Sequence, residues 1–455
     1  MTSRLPTGVS VAPPPRGPSE LATPATPVAL ARGEPSPSEV ALALLVATIV
    51  LVPIAAGTVA WAAPGGDGDF NQRVSVQLFD LALVLTGLAR IAALLTQRSA
   101  GDTQRTANGT VVAGLARRAA GSALALSITV LGTAGVIAFA VHPSPRGAEL
   151  AARIGVGALV AQALVTAPLR WLTRLQALVA IVASTQALLA IAQSANGGPL
   201  GLRWLEFDGP LYPFGSSYAG RGGLTHPYHL AVLLEIGIVA ALFALRKTPR
   251  RLPWLLAIAA CSAGLGVTYS RAAAIGVAAA VVALAWPRRA RRDDASHRAY
   301  LLAAGVMLAG VATTGLTMGD GWYSRASTST NVQSADSGRL DRAREGVELI
   351  GEHPLAGVGP GRYAIALAAN GDDAPLPAHN IVLHAAAEAG VLAGAAIAAV
   401  ALLLARRYLR ASREVAAAFV LVVPYFIFDA YPYVFPIGLL LTAVWFGLLE
   451  RARSR

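Results

Sequence analysis

Apolar residues fill most of this 455-residue chain in long runs that short polar stretches interrupt. Crossing a lipid bilayer takes roughly 20 apolar residues, and lipid offers the backbone no hydrogen-bond partners, so such runs predict membrane helices. The pattern predicts twelve spans, at 40–63, 74–95, 119–141, 152–170, 175–194, 227–245, 252–269, 271–286, 299–317, 380–404, 414–430 and 434–450. We therefore expect an all-α, polytopic membrane protein.

The longest polar interruption, residues 318–379, predicts a large late extracytoplasmic loop. Within it, Ser337–Glu352 is typical of an amphipathic helix that Asp336 or Ser337 caps. Its apolar residues recur at helical spacing at Leu340, Ala343, Val347 and Ile350. A second long outer segment is expected at 195–226.

The composition is typical of a membrane protein that has a polar N-terminal tail. The chain is 55% hydrophobic and 14% charged, whereas soluble proteins carry about 25% charged residues. Residues 1–38 are rich in Pro, Ser, Thr and Ala and predict a disordered cytoplasmic tail, followed by one transmembrane domain over 39–455. A single cysteine, Cys261, excludes an intrachain disulfide and a cysteine-based metal site.

The net charge of +12 is explained by the membrane topology. With the N-terminus in the cytoplasm, every predicted inside loop is basic, as the positive-inside rule requires, and the C-terminus is also cytoplasmic. Nucleic acid is therefore not expected as a partner. Of the seven histidines, only His297 falls in an inside loop, so titratable chemistry should face outward.

Two arginines are candidates for binding an anion. Arg271 lies where two spans meet at the outer boundary, and an arginine at membrane depth usually has a partner or a function. The alternative is a side chain that extends to the interface. Arg339 would lie in the first turn of the amphipathic helix, where free N–H groups and the guanidinium could bind phosphate. A surface ion pair with Asp336 or Glu345 is the alternative.

His379 is the candidate general base, because a histidine can accept a proton near neutral pH. It lies at the outer end of a span, and Asn380 could orient its ring; an interfacial or capping histidine is the alternative. Glu388 lies about two turns deeper, where an acidic residue is usually functional, although it could pair with an arginine of a neighbouring span.

Other polar residues are weaker candidates. Arg221 would be a third outward cation, or a solvated loop arginine. His226 and His229 are three residues apart but lack a third ligand placed by the sequence, so we expect no metal and no cofactor. Asp67 and Asp69 form a D-x-D pair in a glycine-rich turn.

Several short motifs resemble the O-antigen ligase family, which includes lipopolysaccharide O-antigen ligases and related polysaccharide polymerases. In chain order they are SRA at 270–272, SGR at 337–339, HPLAGVGPGRY at 353–363, AHN at 378–380 and EAG at 388–390. Their order, the spacing of the last three and the late outer loop carry the resemblance. It extends over roughly 220–404, with GRGGLTHPYHLA at 220–231 as a weaker element.

The resemblance implies a metal-independent transfer of glycan from a polyprenyl-diphosphate carrier, such as undecaprenyl diphosphate, to an acceptor hydroxyl, in polysaccharide biosynthesis of the cell envelope. By similarity, Arg271 and Arg339 bind the diphosphate and His379 is the essential histidine. Attack opposite the diphosphate would invert the anomeric centre. The acceptor could be a glycolipid, a protein or the growing glycan, so a polymerase is as open as a ligase.

The residues alone are also compatible with two other functions. Twelve spans also suit a transporter or flippase for lipid-linked glycan, although we find no internal repeat of the kind that many carriers have. A polyprenyl-phosphate glycosyltransferase would instead use Asp67 and Asp69 with a divalent metal.

Overall fold

The computed structural model describes residues 36–51, 57–62, 73–102, 123–202, 205–206, 211–246, 248–286, 294–327, 329–372, 375–430, 433 and 435–454. The predicted tail, residues 1–38, lies outside the described residues except for its last three. Asp67 and Asp69 also lie outside them.

Helices make up 79% of the described chain, which confirms the all-α prediction at this level. We number the described helices α1 to α17: Pro37–Leu51, Leu78–Asp102, Ala123–Val141, Pro145–Thr166, Leu169–Asn196, Pro227–Leu245, Leu252–Val267, Arg271–Ala285, Asp294–Thr317, Gly319–Ser327, Ser329–Glu352, Tyr363–Ala369, Ile381–Ala389, Val391–Leu409, Arg413–Val422, Pro424–Phe428 and Pro436–Arg453.

Two small antiparallel hairpins accompany the helices. Strand β1, Gly57–Ala62, pairs with β2, Arg73–Gln77. Strand β3, Tyr212–Phe214, pairs with β4, Ser217–Ala219. The first hairpin corrects two predicted spans, because 40–63 ends in a strand and 74–95 begins in one. The sequences GTVAWA and RVSVQ alternate β-branched or aromatic residues with small or polar ones, a period-two pattern that the apolar-run criterion overlooks.

Helix α6, Pro227–Leu245, forms the centre of the bundle. Nearly every one of its residues is buried, and it packs against α5, α7, α15 and α17. A helix that is apolar all round must be surrounded by other helices. Because it extends for 19 residues, or about 28 Å, its two ends mark the two ends of the bundle.

Five described helices are long and apolar enough to cross a membrane, judged by length and composition: Pro145–Thr166, Leu169–Asn196, Pro227–Leu245, His297–Thr317 and Val391–Leu409. The outer helices carry large exposed apolar side chains, such as Leu81, Leu88 and Val136. Apolar surface of this extent requires lipid or protein to cover it. The number twelve stays a prediction.

Two predicted spans are each broken into two helices. The span 380–404 is divided at Gly390, whose φ of +84° favours glycine and whose Cα faces the carbonyl of Leu355. The span 414–430 is divided at Val423, before Pro424, which lacks the N–H group needed to continue a helix. Both breaks lie close to residues of the candidate site.

The segment 318–379 contains three helices, α10 to α12, instead of the single predicted one. The predicted apolar residues of α11 do not all pack inward, since Leu340 and Val347 are more than half exposed. The helix packs instead through Leu349, which is buried, and Gly346. Glycine at 346 allows the Tyr363 hydroxyl and the Ala378 methyl group to approach the helix, which selects this face.

The contact between α8 and α15 gives a test of the fold. A Cβ atom at Gly276 would overlap the carbonyl oxygen of Leu421. We expect Gly276→Ala to lower the free energy of unfolding by about 1–3 kcal/mol, the usual cost of overpacking. The measurement is the melting temperature of the purified protein in detergent.

Gly305→Ala on α9 is the matched control, because nothing lies within 4 Å of a Cβ added there. Alanine is the better helix former, so this variant should melt at the same temperature or slightly higher. Equal melting temperatures for Gly276→Ala and the wild type would contradict the close packing of α8 on α15.

Candidate active site

One cavity brings together two of the arginines that the sequence singles out. Arg271, at the start of α8, and Arg339, on α11, both line a space of about 200 Å³. The carboxylate of Asp429 lines the same cavity. The remaining lining is aromatic or aliphatic and consists of Tyr228, Ala272, Ile275, Tyr425 and Phe428. The cavity thus combines two cations and one anion with an apolar wall.

Arg271 is held by the turn that precedes it. Ser270 caps α8, its hydroxyl accepting a hydrogen bond from the Ala273 N–H, and the same oxygen lies 2.8 Å from the Tyr425 hydroxyl. Tyr269 is almost fully buried with a left-handed φ of +52°. Its ring packs against Phe214 and Trp322. A left-handed backbone conformation costs free energy for a non-glycine residue, and packing of the surrounding rings stabilises it at Tyr269.

The structure changes the local setting of Arg339. Helix α11 begins at Ser329, ten residues before Arg339, so the guanidinium does not lie in a first turn. The sequence STNVQSAD over 329–336 has neither glycine nor proline to stop a helix, and Gly338 alone does not end one. The helix terminus therefore cannot assist Arg339 in binding an anion.

The alternative of a surface ion pair between Arg339 and Glu345 is wrong. Glu345 pairs at 2.9 Å with Arg342, which also contacts Asp372. Arg339 has no carboxylate partner among the residues whose side chains the structure describes, and the alternative partner Asp336 lies outside them. Arg339 lies half-buried at the cavity.

His379 lies beside Asp429, which lines the same cavity. The Nδ1 atom of His379 lies 3.5 Å from the Oδ1 atom of Asp429, and both side chains are largely buried. His379 has a φ of +48°, in the left-handed region that few non-glycine residues adopt. Such outliers are frequent at active sites. Asp429 thus lies beside His379 and lines the same cavity as Arg271 and Arg339.

Asp429 is a residue of the candidate site that the sequence did not single out. It follows the last residue of the short helix α16 and lies within the predicted span 414–430. The signal that could have found it is the acid itself, because an ionisable residue inside such a run usually has a function.

Asn380 acts on the backbone instead of on the imidazole ring. Its Oδ1 accepts hydrogen bonds from the N–H groups of Val382 and Leu383, which caps α13. Its Nδ2 donates to the carbonyl of Ile427 at 3.0 Å. The residue therefore fixes the chain next to His379 to the helix that ends at Asp429.

Glu388 belongs to a separate polar cluster. Its Oε1 accepts from the N–H of Tyr363 at 3.1 Å, and its Oε2 accepts from the hydroxyl of Tyr433 at 2.9 Å. The Nε2 atom of His384 lies 3.5 Å from Oε1. None of these residues lines the cavity of Arg271. Glu388, for which the sequence left a functional role or a pair with a neighbouring arginine open, contacts tyrosine and histidine groups, and its bond to the Tyr363 N–H holds the loop before α12.

Tyr363 in this cluster stays a neutral donor. Its hydroxyl donates to the carbonyl of Arg342 at 3.1 Å. Burial, followed by the charge of Glu345, raises the pKa of Tyr363 well above its usual value. The hydrogen bond ties α12 to α11, the helix that carries Arg339.

Arg221 is buried, with 3% of its surface exposed, so the alternative of a solvated loop arginine is wrong. It does not line the cavity of Arg271 and Arg339. Its backbone N–H and that of Gly222 donate to the Oε1 atom of Gln193 on α5. The Gly223 N–H donates to Gln186, two turns earlier on the same helix. The GRGG segment is therefore pinned along α5.

Glu206 strengthens this anchor from the loop. It accepts hydrogen bonds from Gln193 and from the N–H groups of Leu200 and Leu202. Burial opposes ionisation, but these hydrogen bonds outweigh it and hold the pKa of Glu206 below its usual value.

His226 and His229 have structural partners. The His226 Nδ1 accepts from the Tyr228 N–H and caps α6, and the His229 Nδ1 lies 2.9 Å from the Thr225 hydroxyl. Among the described residues, no group of three potential ligands surrounds a possible metal position.

The comparison with protein families gives a match over part of the chain. Residues 255–398 match the model of the O-antigen ligase family. The match supports an assignment to that family over this segment. Searches of curated proteins and of solved structures gave no match.

The matched segment contains Arg271, Arg339 and His379, whereas Arg221 and Asp429 lie outside it. The match and the helices long enough to cross a bilayer are consistent with a membrane protein of the glycosyltransferase type. The Asp429 carboxylate is therefore a part of the candidate site that lies outside the matched segment.

Asn380 both caps α13 and binds the Ile427 carbonyl, and mutation can separate these two roles. We expect Asn380→Ala to lose both the cap and the bond to Ile427, at a cost of about 1 kcal/mol for each. Asn380→Asp retains an acceptor for the cap but cannot donate to the Ile427 carbonyl. Melting temperatures in detergent should follow the order wild type, Asn380→Asp, Asn380→Ala. Equal values for the alanine variant and the wild type would contradict the described hydrogen bonds.

Proposed function

We propose that this protein is a membrane glycosyltransferase that moves a glycan from a polyprenyl-diphosphate carrier to an acceptor hydroxyl. The observation that carries the proposal is the shared cavity of Arg271, Arg339 and Asp429, with His379 beside the carboxylate. The O-antigen ligase domain supports the same class of reaction. We infer an inverting reaction that needs no metal.

The diphosphate of the donor would bind between the two arginines. A guanidinium offers paired N–H donors that match phosphate oxygens, and it stabilises the charge that develops on the leaving group. Arg271 is also the first residue of α8, a helix of 15 residues, so backbone N–H groups and the helix dipole favour an anion there. The apolar wall of Ile275 and Phe428 suits the polyprenyl chain.

His379 would act as the general base, with Asp429 as its partner. A proton on Nδ1 directed at the carboxylate leaves the lone pair on Nε2 available. The acceptor hydroxyl attacks the anomeric carbon while its proton moves to Nε2. The bond from that carbon to the diphosphate oxygen breaks, and its electron pair leaves with the diphosphate. Asp429 stabilises the imidazolium that results.

The active site would face the outside of the cell membrane. We infer twelve spans with both termini in the cytoplasm and residues 318–379 outside, because this arrangement leaves every inside loop basic. The cavity lies near Tyr228 at the first end of α6, and Arg246 follows the other end. A cavity on the outer side would receive donor that has already been moved across the membrane.

Two related functions remain as second candidates. If the acceptor is the growing glycan itself, the same site makes the protein a polymerase of this family; a glycolipid or a protein acceptor makes it a ligase. A transporter or flippase for lipid-linked glycan would also bind the diphosphate at Arg271 and Arg339. It would not need a histidine beside a carboxylate.

Arg339→Ala tests the phosphate site. We expect transfer of glycan from a lipid-linked donor to fall at least 10²-fold, the usual cost of losing a group that stabilises transition-state charge. Arg344→Ala on the same helix is the control, because its side chain is exposed and pairs only with Asp341. Transfer is measured by gel shift of the glycosylated product in membranes with equal protein levels. Normal transfer by Arg339→Ala would end the assignment.

His379→Ala and Asp429→Asn test the proposed base. We expect both variants to lower the rate of transfer by about 10²- to 10⁴-fold, because each one disrupts general base catalysis. Binding of the lipid-linked donor should persist, since Arg271 and Arg339 are intact. Asp341→Asn, which alters an exposed carboxylate on α11, should transfer normally. An Asp429→Asn variant as active as the wild type would remove Asp429 from the mechanism.

Reconstituted vesicles separate an enzyme from a carrier. We expect purified protein to form a new glycosidic bond when donor and acceptor are on the same side of the membrane as the cavity. Donor that crosses the bilayer without any new glycosidic bond would favour the flippase instead.

A further inference from the structure

A second charged cavity lies at the end of the bundle opposite the proposed active site. It encloses about 360 Å³ near the last residues of α6, α14 and α17 and the first residues of α15. Its lining consists of Arg246, Arg407, Arg410, Ala411, Ser412, Ala452 and Arg453. Four of these seven residues are arginines, so the cavity is strongly positive.

The ion pairs around this cavity leave an excess of positive charge. Arg246 binds Glu414 at 2.7 Å. Arg407 binds Glu450 at 2.7 Å, and Arg453 shares that carboxylate at 3.2 Å. Arg410 has no carboxylate partner among the described residues. Four arginines against two glutamates leave two positive charges, which an anion could neutralise.

The start of α15 adds donors to the same space. Ser412 precedes this helix of ten residues, and its side chain makes no capping hydrogen bond. The first N–H groups of the helix are therefore not satisfied by a side-chain cap, and the helix dipole favours an anion there. Guanidinium groups beside a helix N-terminus form a typical environment for phosphate.

The surroundings favour a phosphate that is attached to a lipid. Arg410 ends α14, a helix long and apolar enough to cross a membrane. The same helix exposes Leu402 and Leu409 on its outer surface, where acyl chains could pack. Basic pockets between membrane helices commonly bind the headgroups of anionic lipids. Glutamates at 414 and 450 fix three of the arginines in place and leave Arg410 for the ligand.

We propose that this cavity binds the phosphate group of an anionic phospholipid headgroup. Arg410 and the N–H groups at the start of α15 contact the phosphate, and Arg246, Arg407 and Arg453 surround it. Because α15 leads into the helix that ends at Asp429, a bound lipid stabilises the element that carries part of the proposed active site. The site itself does not depend on the proposed transfer reaction.

The test uses the full chain in detergent and its melting temperature as phosphatidylglycerol is added. We expect phosphatidylglycerol to raise the melting temperature of the wild type, and phosphatidylcholine to leave it unchanged. Arg410→Gln should need about tenfold more phosphatidylglycerol for the same rise, the usual effect of losing one charge-assisted hydrogen bond. Arg410→Lys, which retains the charge, should keep most of the response.

Arg406→Gln is the matched control, because this exposed arginine lies on the same helix and does not line the cavity. Its response should equal that of the wild type. Inorganic phosphate forms the second arm: a rise as large as that with phosphatidylglycerol would overturn the lipid assignment in favour of a soluble phosphate. A loss of response in Arg406→Gln equal to that in Arg410→Gln, or no loss in either, would overturn the site.

Discussion

The proposed active site depends on one short helix, Pro424–Phe428, which two other elements contact. The hydroxyl of Tyr425 lies against the Ser270 side chain that caps the helix of Arg271. The carbonyl of Ile427 accepts from Asn380, next to His379. Asp429 follows immediately. The first of these hydrogen bonds is buried and the second is exposed, and together they tie the three elements of the proposed site to one short helix.

The short helix begins because the preceding one is interrupted. Pro424 has no N–H group to donate, so the hydrogen-bond pattern breaks at Val423, although Val423 keeps helical backbone angles. The short helix then ends at Phe428, and the carbonyl groups of its last turn have no partner within the helix. The carbonyl of Ile427 is therefore available to Asn380, and Asp429 follows directly. Discontinuous helices in membranes commonly mark binding sites.

Part of the proposed site could be predicted, because ionisable residues are rare in an apolar chain. Residue type and position made Arg271, Arg339 and His379 candidates but left an alternative open for each, and the resemblance to the O-antigen ligase family selected them. The sequence could not identify Asp429 as a neighbour of His379, because their approach depends on how two separate helices pack. Arg221 and Glu388 share the same residue types but occupy other sites, and residue type alone does not distinguish them.

The fold, too, could be predicted from the sequence only in part. Long apolar runs predicted the helical bundle and the late polar segment. Where helices stop was predicted less well, because a stop depends on contacts such as that of Gly390 with the Leu355 carbonyl. The face of α11 that packs inward was also decided by a contact, the approach of Tyr363 to Gly346. Hydrophobic periodicity identifies the apolar face of a helix but not the neighbouring element that packs against it.

The decisive experiment is a structure of the protein with a bound polyprenyl-diphosphate-linked glycan. We expect the diphosphate between the guanidinium groups of Arg271 and Arg339, and the first sugar within reach of the His379 imidazole. A diphosphate bound elsewhere, for example at Arg221, with the cavity of Asp429 empty, would contradict it.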